Sequence, residues 1–361
     1  MSALLHLRLA SLPVPLQWVL LVVLSGIIAW GLELVKLPAA LLLGPMVMGI
    51  VFSLRGSTLG IGRPFFFAAQ TIIGCMIGSS MNIDVLDTFA TQWWLFLLVT
   101  LLVIGTTSLL GWFMAKWQVL PGTTAIWGTS AGGASVMMLL AESQGADMRL
   151  VAFMQYLRVL FVAVTASIIA RFLLPAQAPD ADTSIDWFPA LDAVDFTQTL
   201  LIAAIAGYIG LKLKLPAGQL LLPMIVTSAL SMGDTVTLQL PEWLLAISYA
   251  LVGWRIGLGF TSTIFRHALR ALPQIMASIV VLIGLCGLIA VLLVVLLDID
   301  PLTAYMATSP GGLDSIAIIA ASSNVDIGFI MTFQTVRFAM VLMIGPILAR
   351  ALAKRLAART G

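Results

Sequence analysis

The chain is 361 residues long, 61% hydrophobic and 9% charged, with a formal net charge of +2 and a mean hydropathy of +1.09. A soluble domain carries about a quarter charged residues, so this composition excludes an ordinary soluble domain and indicates a polytopic membrane protein. The bases lie in short loops and near the ends, which excludes a nucleic-acid-binding stripe and makes the lipid bilayer the first expected partner.

The useful unit of length in such a chain is a span of roughly 20 apolar residues. The first thirty residues, "MSALLHLRLASLPVPLQWVLLVVLSGIIAW", begin with the weakly basic His6 and Arg8. No small-residue cleavage signal follows their apolar run, so an uncleaved first span is expected. Spans are predicted at 15–35, 38–54, 64–82, 92–115 and 148–171, with a broken stretch at 121–144. A second series follows at 197–213, 216–232, 242–263, 271–297 and 326–350, with a broken stretch at 301–323. Cys75 and Cys286 both fall in apolar segments and offer no disulfide framework.

The two series are copies. "VKLPAALLLGPM" (Val35–Met46) matches "LKLPAGQLLLPM" (Leu213–Met224) at an offset of 178. "IGCMIG" (Ile73–Gly78) matches "VGWRIG" (Val252–Gly257) at 179, as "TAIWGTSAGG" (Thr124–Gly133) matches "TAYMATSPGG" (Thr303–Gly312). At 179 as well, Asp147 meets Asp326, Gln155 meets Gln334, Arg158 meets Arg337 and Arg171 meets Arg350. Matches in this order indicate internal duplication. The expected organisation is a tail at 1–14, a membrane repeat at 15–171, an acidic extracytoplasmic linker at 172–195, a second membrane repeat at 196–352 and a basic cytoplasmic tail at 353–361.

Loop charges orient the copies, because cytoplasmic loops collect Lys and Arg. If each broken stretch enters and leaves on one side, and the N-terminus is cytoplasmic, then Arg55, Arg63, Lys116, Lys212, Lys214, Arg266 and Arg270 fall inside with the C-terminal tail. Asp84, Asp87, Asp234, Glu242, Asp298, Asp300 and the acidic linker fall outside, and only Lys36 and Arg171 miss. If both stretches cross instead, the bases of the second half land outside. The expected fold is therefore an all-α polytopic membrane protein of two inverted repeats, each with about five transmembrane helices plus one re-entrant, glycine-rich hairpin. Inverted repeats characterise secondary transporters, whose sites lie near the midplane.

Non-helical backbone at membrane depth is tolerated only where protein buries it or where it lines a cavity. "TSAGG" and "TSPGG" are thus expected as hairpin tips, with glycine supplying unusual backbone angles and close approach, and with helix N-termini that favour anions. The candidate solute-binding residues are Thr129, Ser130, Gly132, Gly133, Gln155 and Arg158, and their counterparts Thr308, Ser309, Gly311, Gly312, Gln334 and Arg337. Each Gln precedes its Arg by three residues and shares its helix face. Two guanidinium groups could clamp a carboxylate bidentately; the plain alternative is that each pairs with an acid or caps hairpin carbonyls. Ser and Thr at the tips are either ligands or helix caps.

Asp314 stands where the first copy has Ser135, which suggests a coupling cation or proton at one tip alone; a salt bridge to Arg337 or Arg255 is the alternative. Arg255 aligns with Met76 and is expected to be structural or rim-facing, outside the duplicated machinery. "GTSAG" (Gly128–Gly132) fits a nucleophile elbow, but the second copy reads "ATSPG" and His6 and His267 both lie near span ends, so no enzyme is expected. No Gly-Lys-Ser/Thr is present for a P-loop. Two histidines and two buried cysteines do not make a typical transition-metal site. No cofactor is expected.

"LPAALLLGPM" with "LPAGQLLLPM", "GTSAGG" with "ATSPGG", and the "FMQYLRV" and "TFQTVRF" spans resemble the AbrB family of bacterial inner-membrane proteins, whose hallmark is a duplicated membrane domain. The resemblance covers nearly the whole chain and implies a multi-pass location in the bacterial inner membrane. Family labels include regulator of gene expression and ammonia monooxygenase. The oxygenase label finds no copper or iron ligands here, and a regulator without a DNA-binding segment would act indirectly. The glycine-tipped hairpins also look like those of elevator-type carboxylate transporters, an architectural analogy. The expected function is secondary transport of a small anionic solute, coupled to a cation or proton, in a chain whose reading also accommodates a homodimer. The alternative is a membrane-embedded sensor that affects gene expression indirectly.

Overall fold

Where the sequence alternates apolar runs with Pro, Gly and charge, the chain forms helices and little else. The computed structural model describes residues 12–35, 37, 39–79, 83–120, 123–130, 137, 141, 145–173, 187–213, 218–233, 236, 238–260, 269, 271–323 and 325–360. Among these residues the elements are α1 (Val14–Leu34), α2 (Ala40–Leu54), α3 (Arg63–Ser79), α4 (Ile83–Lys116), α5 (Thr124–Thr129) and α6 (Met148–Leu173). They continue as α7 (Ala193–Lys212), α8 (Gly218–Met232), α9 (Glu242–Gly257), α10 (Leu272–Leu297), α11 (Pro301–Thr308), α12 (Leu313–Ala321) and α13 (Ile327–Thr360). The all-helical, polytopic expectation holds.

Among the described residues, six helical segments are long and apolar enough to cross a membrane: Val14–Leu34, Trp93–Lys116, Met148–Phe172, Ala193–Lys212, Leu272–Leu297 and Ile327–Gly345. Their outer faces carry large apolar side chains such as Val19, Trp30, Leu201, Ile205, Leu288 and Val295. Lipid accepts such faces without the cost of hydrating them. The 15-residue α2 and α8 are shorter apolar helices, each with an internal proline, Pro45 and Pro223.

The helices gather into two compact units, each drawing on both halves of the sequence. One unit contains α1, α2, α3, α7, α8 and α9; the other contains α4, α5, α6 and α10 to α13. The contacts within each unit are reciprocal. In the first, α2 packs on α9 and α3 on α8, and α1 on α2 as α7 on α8. In the second, α4 meets α13 and α10 meets α6, while α5 meets α13 and α11 meets α6.

Glycine makes the reciprocal pairing in the first unit. Gly74 and Gly78 of α3 lie against the backbone of Leu220 and Met224 in α8; Gly253 and Gly257 of α9 lie against the backbone of Leu42 and Met46 in α2. A Cβ at each of the four would come within 2.6 Å of a backbone carbonyl, and at Gly78 also of Thr227 Oγ1, so a larger residue forces the helices apart. The spacing is G-x-x-x-G, which lets helix backbones approach closely in lipid, where the hydrophobic effect gives no drive. Side-chain bonds add to this packing: Ser53 Oγ of α2 donates to the Leu258 carbonyl just past α9 at 3.1 Å, and Trp254 Nε1 of α9 to Ser25 Oγ of α1 at 2.9 Å. Arg255 is exposed, as expected for a rim position; it donates to the Ile61 carbonyl at 3.3 Å and lies 5.7 Å from the Phe66 ring centre.

Gly257→Val should therefore wedge α2 from α9 and lower stability by about 1–3 kcal/mol or more, read as earlier thermal unfolding in detergent. Gly105→Ala, on α4 where nothing lies within 4 Å of an added Cβ, should match or exceed the parent protein.

Candidate functional site

The second unit holds both broken stretches. In the second half, α11 starts at Pro301 with Asp300 as its cap, the Thr303 N–H donating to Asp300 Oδ2 at 2.8 Å. Its last residue is Thr308, the Ser309 N–H still donates to the Tyr305 carbonyl at 2.9 Å, and the helix is then interrupted until α12 begins at Leu313. The chain then doubles back: the Asp326 N–H, at the head of α13, donates to Thr303 Oγ1 at 3.4 Å. The first half repeats the tie, with the Asp147 N–H donating to Thr124 Oγ1 at 3.2 Å. Asp147 and Asp326, matched in the duplication, cap α6 and α13 through the N–H groups of Arg149 and Phe329, both at 2.9 Å.

From those heads α6 and α13 run beside α5 and α11, which brings their Gln and Arg side chains to the tips. Gln155 Nε2 donates to the carbonyls of Trp127 (3.2 Å) and Ser130 (3.1 Å), and Arg158 Nη1 to that of Ser130 (2.8 Å). In the second half, Gln334 Nε2 faces the carbonyls of Met306 (2.7 Å), Ala307 (3.3 Å) and Ser309 (3.2 Å). Arg337 donates through Nη1 to the Ser309 carbonyl and through Nη2 to that of Gly311 (3.2 Å). The last carbonyls of a helix have no partner within it, and its C-terminal end is the negative end of its dipole. Two cations placed there are in a favourable field, and the expected alternative of carbonyl capping is what their bonds perform.

Capping does not exhaust these side chains. Arg158 and Arg337 are 3% and 4% exposed, yet among the described residues the Nε of each has no hydrogen-bond partner. Gln155 Oε1 and Gln334 Oε1 are also unpartnered; both amide nitrogens face carbonyls, so these oxygens are the free acceptors. Among the described residues no carboxylate pairs with either guanidinium, and the two lie within electrostatic reach of each other and of Cys286. Two like charges in an apolar interior without a counter-ion are costly.

The tip hydroxyls behave otherwise. Thr129 Oγ1 donates to the Ala125 carbonyl at 2.9 Å and Ser309 Oγ to that of Met306 at 3.1 Å. Thr308 Oγ1 lies 3.0 Å from the Ala304 carbonyl and 3.2 Å from that of Cys286, which ties α11 to α10. These groups are spent on main chain. The tip backbone is also plainer than expected: Ser309 and Gly312 are extended, and among the described residues the glycines with positive φ are Gly56 and Gly145. Close approach explains Gly311, where a Cβ would come 3.0 Å from Val162 of α6 and 2.8 Å from Ile316.

Gly132 and Gly133 lie outside the described residues, as does the side chain of Asp314, whose backbone forms the second position of α12. Tyr305 and Ser315 were passed over at the level of sequence. Both have buried hydroxyls with no partner among the described residues. Their counterparts at the 179 offset are Ile126 and Val136, so the signal was a second polar asymmetry beside Asp314. Polar groups accumulate at the second tip.

Gln334→Leu strips three carbonyls of an amide donor. It should lower thermal stability by about 1–3 kcal/mol while membrane insertion persists, checked by unfolding in detergent alongside membrane yield.

The family described as "Transition state regulatory protein AbrB" matches residues 41–353. A protein of Escherichia coli (strain K12) printed as "Putative regulator AbrB" is 48% identical over 335 residues, covering 93% of this chain and 96% of that protein. "Uncharacterized protein YhjN" of Bacillus subtilis (strain 168) is 26% identical over 300 residues, covering 80% of this chain and 78% of its own. No solved structure matches.

Proposed function

The chain belongs to the AbrB family, and from that premise we propose that this multi-pass membrane protein is a secondary transporter of a small organic anion, and not an enzyme. The observation that carries the proposal is the pair of buried arginines without a described acidic partner. Ionisable groups at membrane depth mark solute pathways, and these retain free Nε donors beside free Gln acceptors. A bound solute with carboxylate oxygens for Arg158 and Arg337, and hydroxyl or amino donors for Gln155 and Gln334, satisfies all four. The N-terminus of α12 adds a favourable dipole for the anion.

The broken stretches act as re-entrant hairpins and the halves as inverted repeats, a reading supported by the Thr124–Asp147 and Thr303–Asp326 ties and by the reciprocal helix contacts. The separation of the chain into two compact units, one carrying both hairpins, favours a movement of that unit against the other during transport. Asp314, at the more polar tip, is assigned to the coupling cation or proton. The second reading, a membrane sensor acting on gene expression, draws on the printed name of the Escherichia coli relative.

The test starts with thermal unfolding in a panel of hydroxy- and amino-carboxylates. Saturation at 100 times Kd stabilises by about 2.7 kcal/mol. Arg158→Gln and Arg337→Gln should each abolish the shift while still inserting, and Arg→Lys should restore it only in part. Binding unchanged in both Gln variants makes the arginines purely structural. Proteoliposomes then divide the two readings: accumulation means transport, and ligand binding without flux means a sensor.

Asp314→Asn should leave solute exchange intact and remove gradient-driven accumulation. Retained accumulation would strip Asp314 of its role. Cysteines at Asp186 and Asp84 should label from outside the cytoplasm and one at Lys354 from within. Cytoplasmic labelling at Asp186 contradicts inversion.

A further inference from the structure

The first unit contains a groove that the arginine site does not use. It has a volume of about 390 Å³ and runs between α3, α7 and α8. Its walls are apolar, with Phe67, Ile72, Leu200, Ala204, Tyr208 and Leu211 among them. Leu200, Tyr208 and Leu211 are 37%, 58% and 42% exposed, so the groove opens outward from apolar helices.

The lining fixes its direction. Pro64 and Phe67 at the start of α3 share it with Tyr208 and Leu211 at the end of α7, and Gln219 stands at the start of α8. Arg63, the first residue of α3, and Lys212, the last of α7, therefore flank the same end, and both are exposed. The Lys212 ammonium lies 5.4 Å from the centre of the Tyr208 ring, which holds the charge above the groove wall. Loop charges assign both bases to the cytoplasmic side, with Lys214 next in sequence.

We propose that this groove is a binding site for an anionic phospholipid, with an acyl chain lying along α3 and α7 and the phosphate at Arg63 and Lys212. An exposed apolar trough in a membrane is covered either by lipid or by protein. A second copy of the chain, docked face to face by two-fold symmetry, would bring the same two cations against their equivalents. An anionic headgroup neutralises them instead. Basic pockets between transmembrane helices hold anionic headgroups, and each Lys or Arg near the surface contributes about 1 kcal/mol, or roughly fivefold in affinity. Tyr208 at this end suits the headgroup level, and the Gln219 amide suits the ester region.

The experiment uses full-length protein in neutral detergent, stripped of lipid and titrated with dioleoyl phosphatidylglycerol or dioleoyl phosphatidylcholine, with bound lipid counted by native mass spectrometry. The parent protein should retain one phosphatidylglycerol in preference to phosphatidylcholine. Arg63→Gln and Lys212→Gln should each reduce that preference by about fivefold, and added salt should weaken it. Ala204→Trp, at an exposed wall position, should exclude both lipids without disturbing the fold. Equal binding of the two lipids by the parent overturns the proposal, as does a preference unchanged in the double Gln variant. A dimer mass that disappears in Ala204→Trp, without bound lipid in the parent, assigns the groove to a second copy instead.

Discussion

The hydrogen bonds from Arg158 to the Ser130 carbonyl, and from Arg337 to those of Ser309 and Gly311, hold the second unit in its form. A helix that stops inside the membrane exposes carbonyls that lipid cannot satisfy. Here a guanidinium and a glutamine amide on the neighbouring long helix meet them, in both halves, eight to eleven residues beyond the capping Asp147 or Asp326. The same choice creates a second problem, since it buries two cations in an apolar interior. A structure built this way braces both tips from the neighbouring long helices, and the proposed anion site rests on the same side chains.

The first unit answers a different constraint. Helices in lipid gain nothing by hiding apolar surface from water, so association depends on close packing. Gly74, Gly78, Gly253 and Gly257 supply it through backbone contacts that exchange α2 and α3 with their counterparts α8 and α9. Glycine contacts with backbone build this unit, whereas polar ties to carbonyls brace the tips of the other. The proposed transport movement draws on that contrast.

Much of this was legible in the chain because duplication prints the same constraint twice. Asp147 and Asp326 stood out by their offset, and each proves to cap the final long helix of its half. The broken stretches were recognised from Pro and Gly in apolar surroundings, and the described parts are short helices, as expected. The glycines of "IGCMIG" and "VGWRIG" were seen as a repeat, but their partners were not. A backbone contact between segments far apart in sequence leaves only a missing side chain as its trace. The tip glycines were expected to supply unusual backbone angles and close approach; Gly312 is extended, while Gly311 makes the close approach, to Val162. Tyr305 and Ser315 were hidden because a hydroxyl in a helix of a membrane protein reads as ordinary until its surroundings are known.

The account stands on the second tip being reachable by solute from both sides of the membrane in turn. The direct measurement is a single cysteine at Ser309, in protein whose Cys75 and Cys286 are replaced by Ala, probed with a membrane-impermeant thiol reagent from each face. The account predicts slow modification from both faces, and protection by a carboxylate that raises the melting temperature. Absence of modification from either face, with or without ligand, would contradict it and leave the arginines as fasteners of a closed structure.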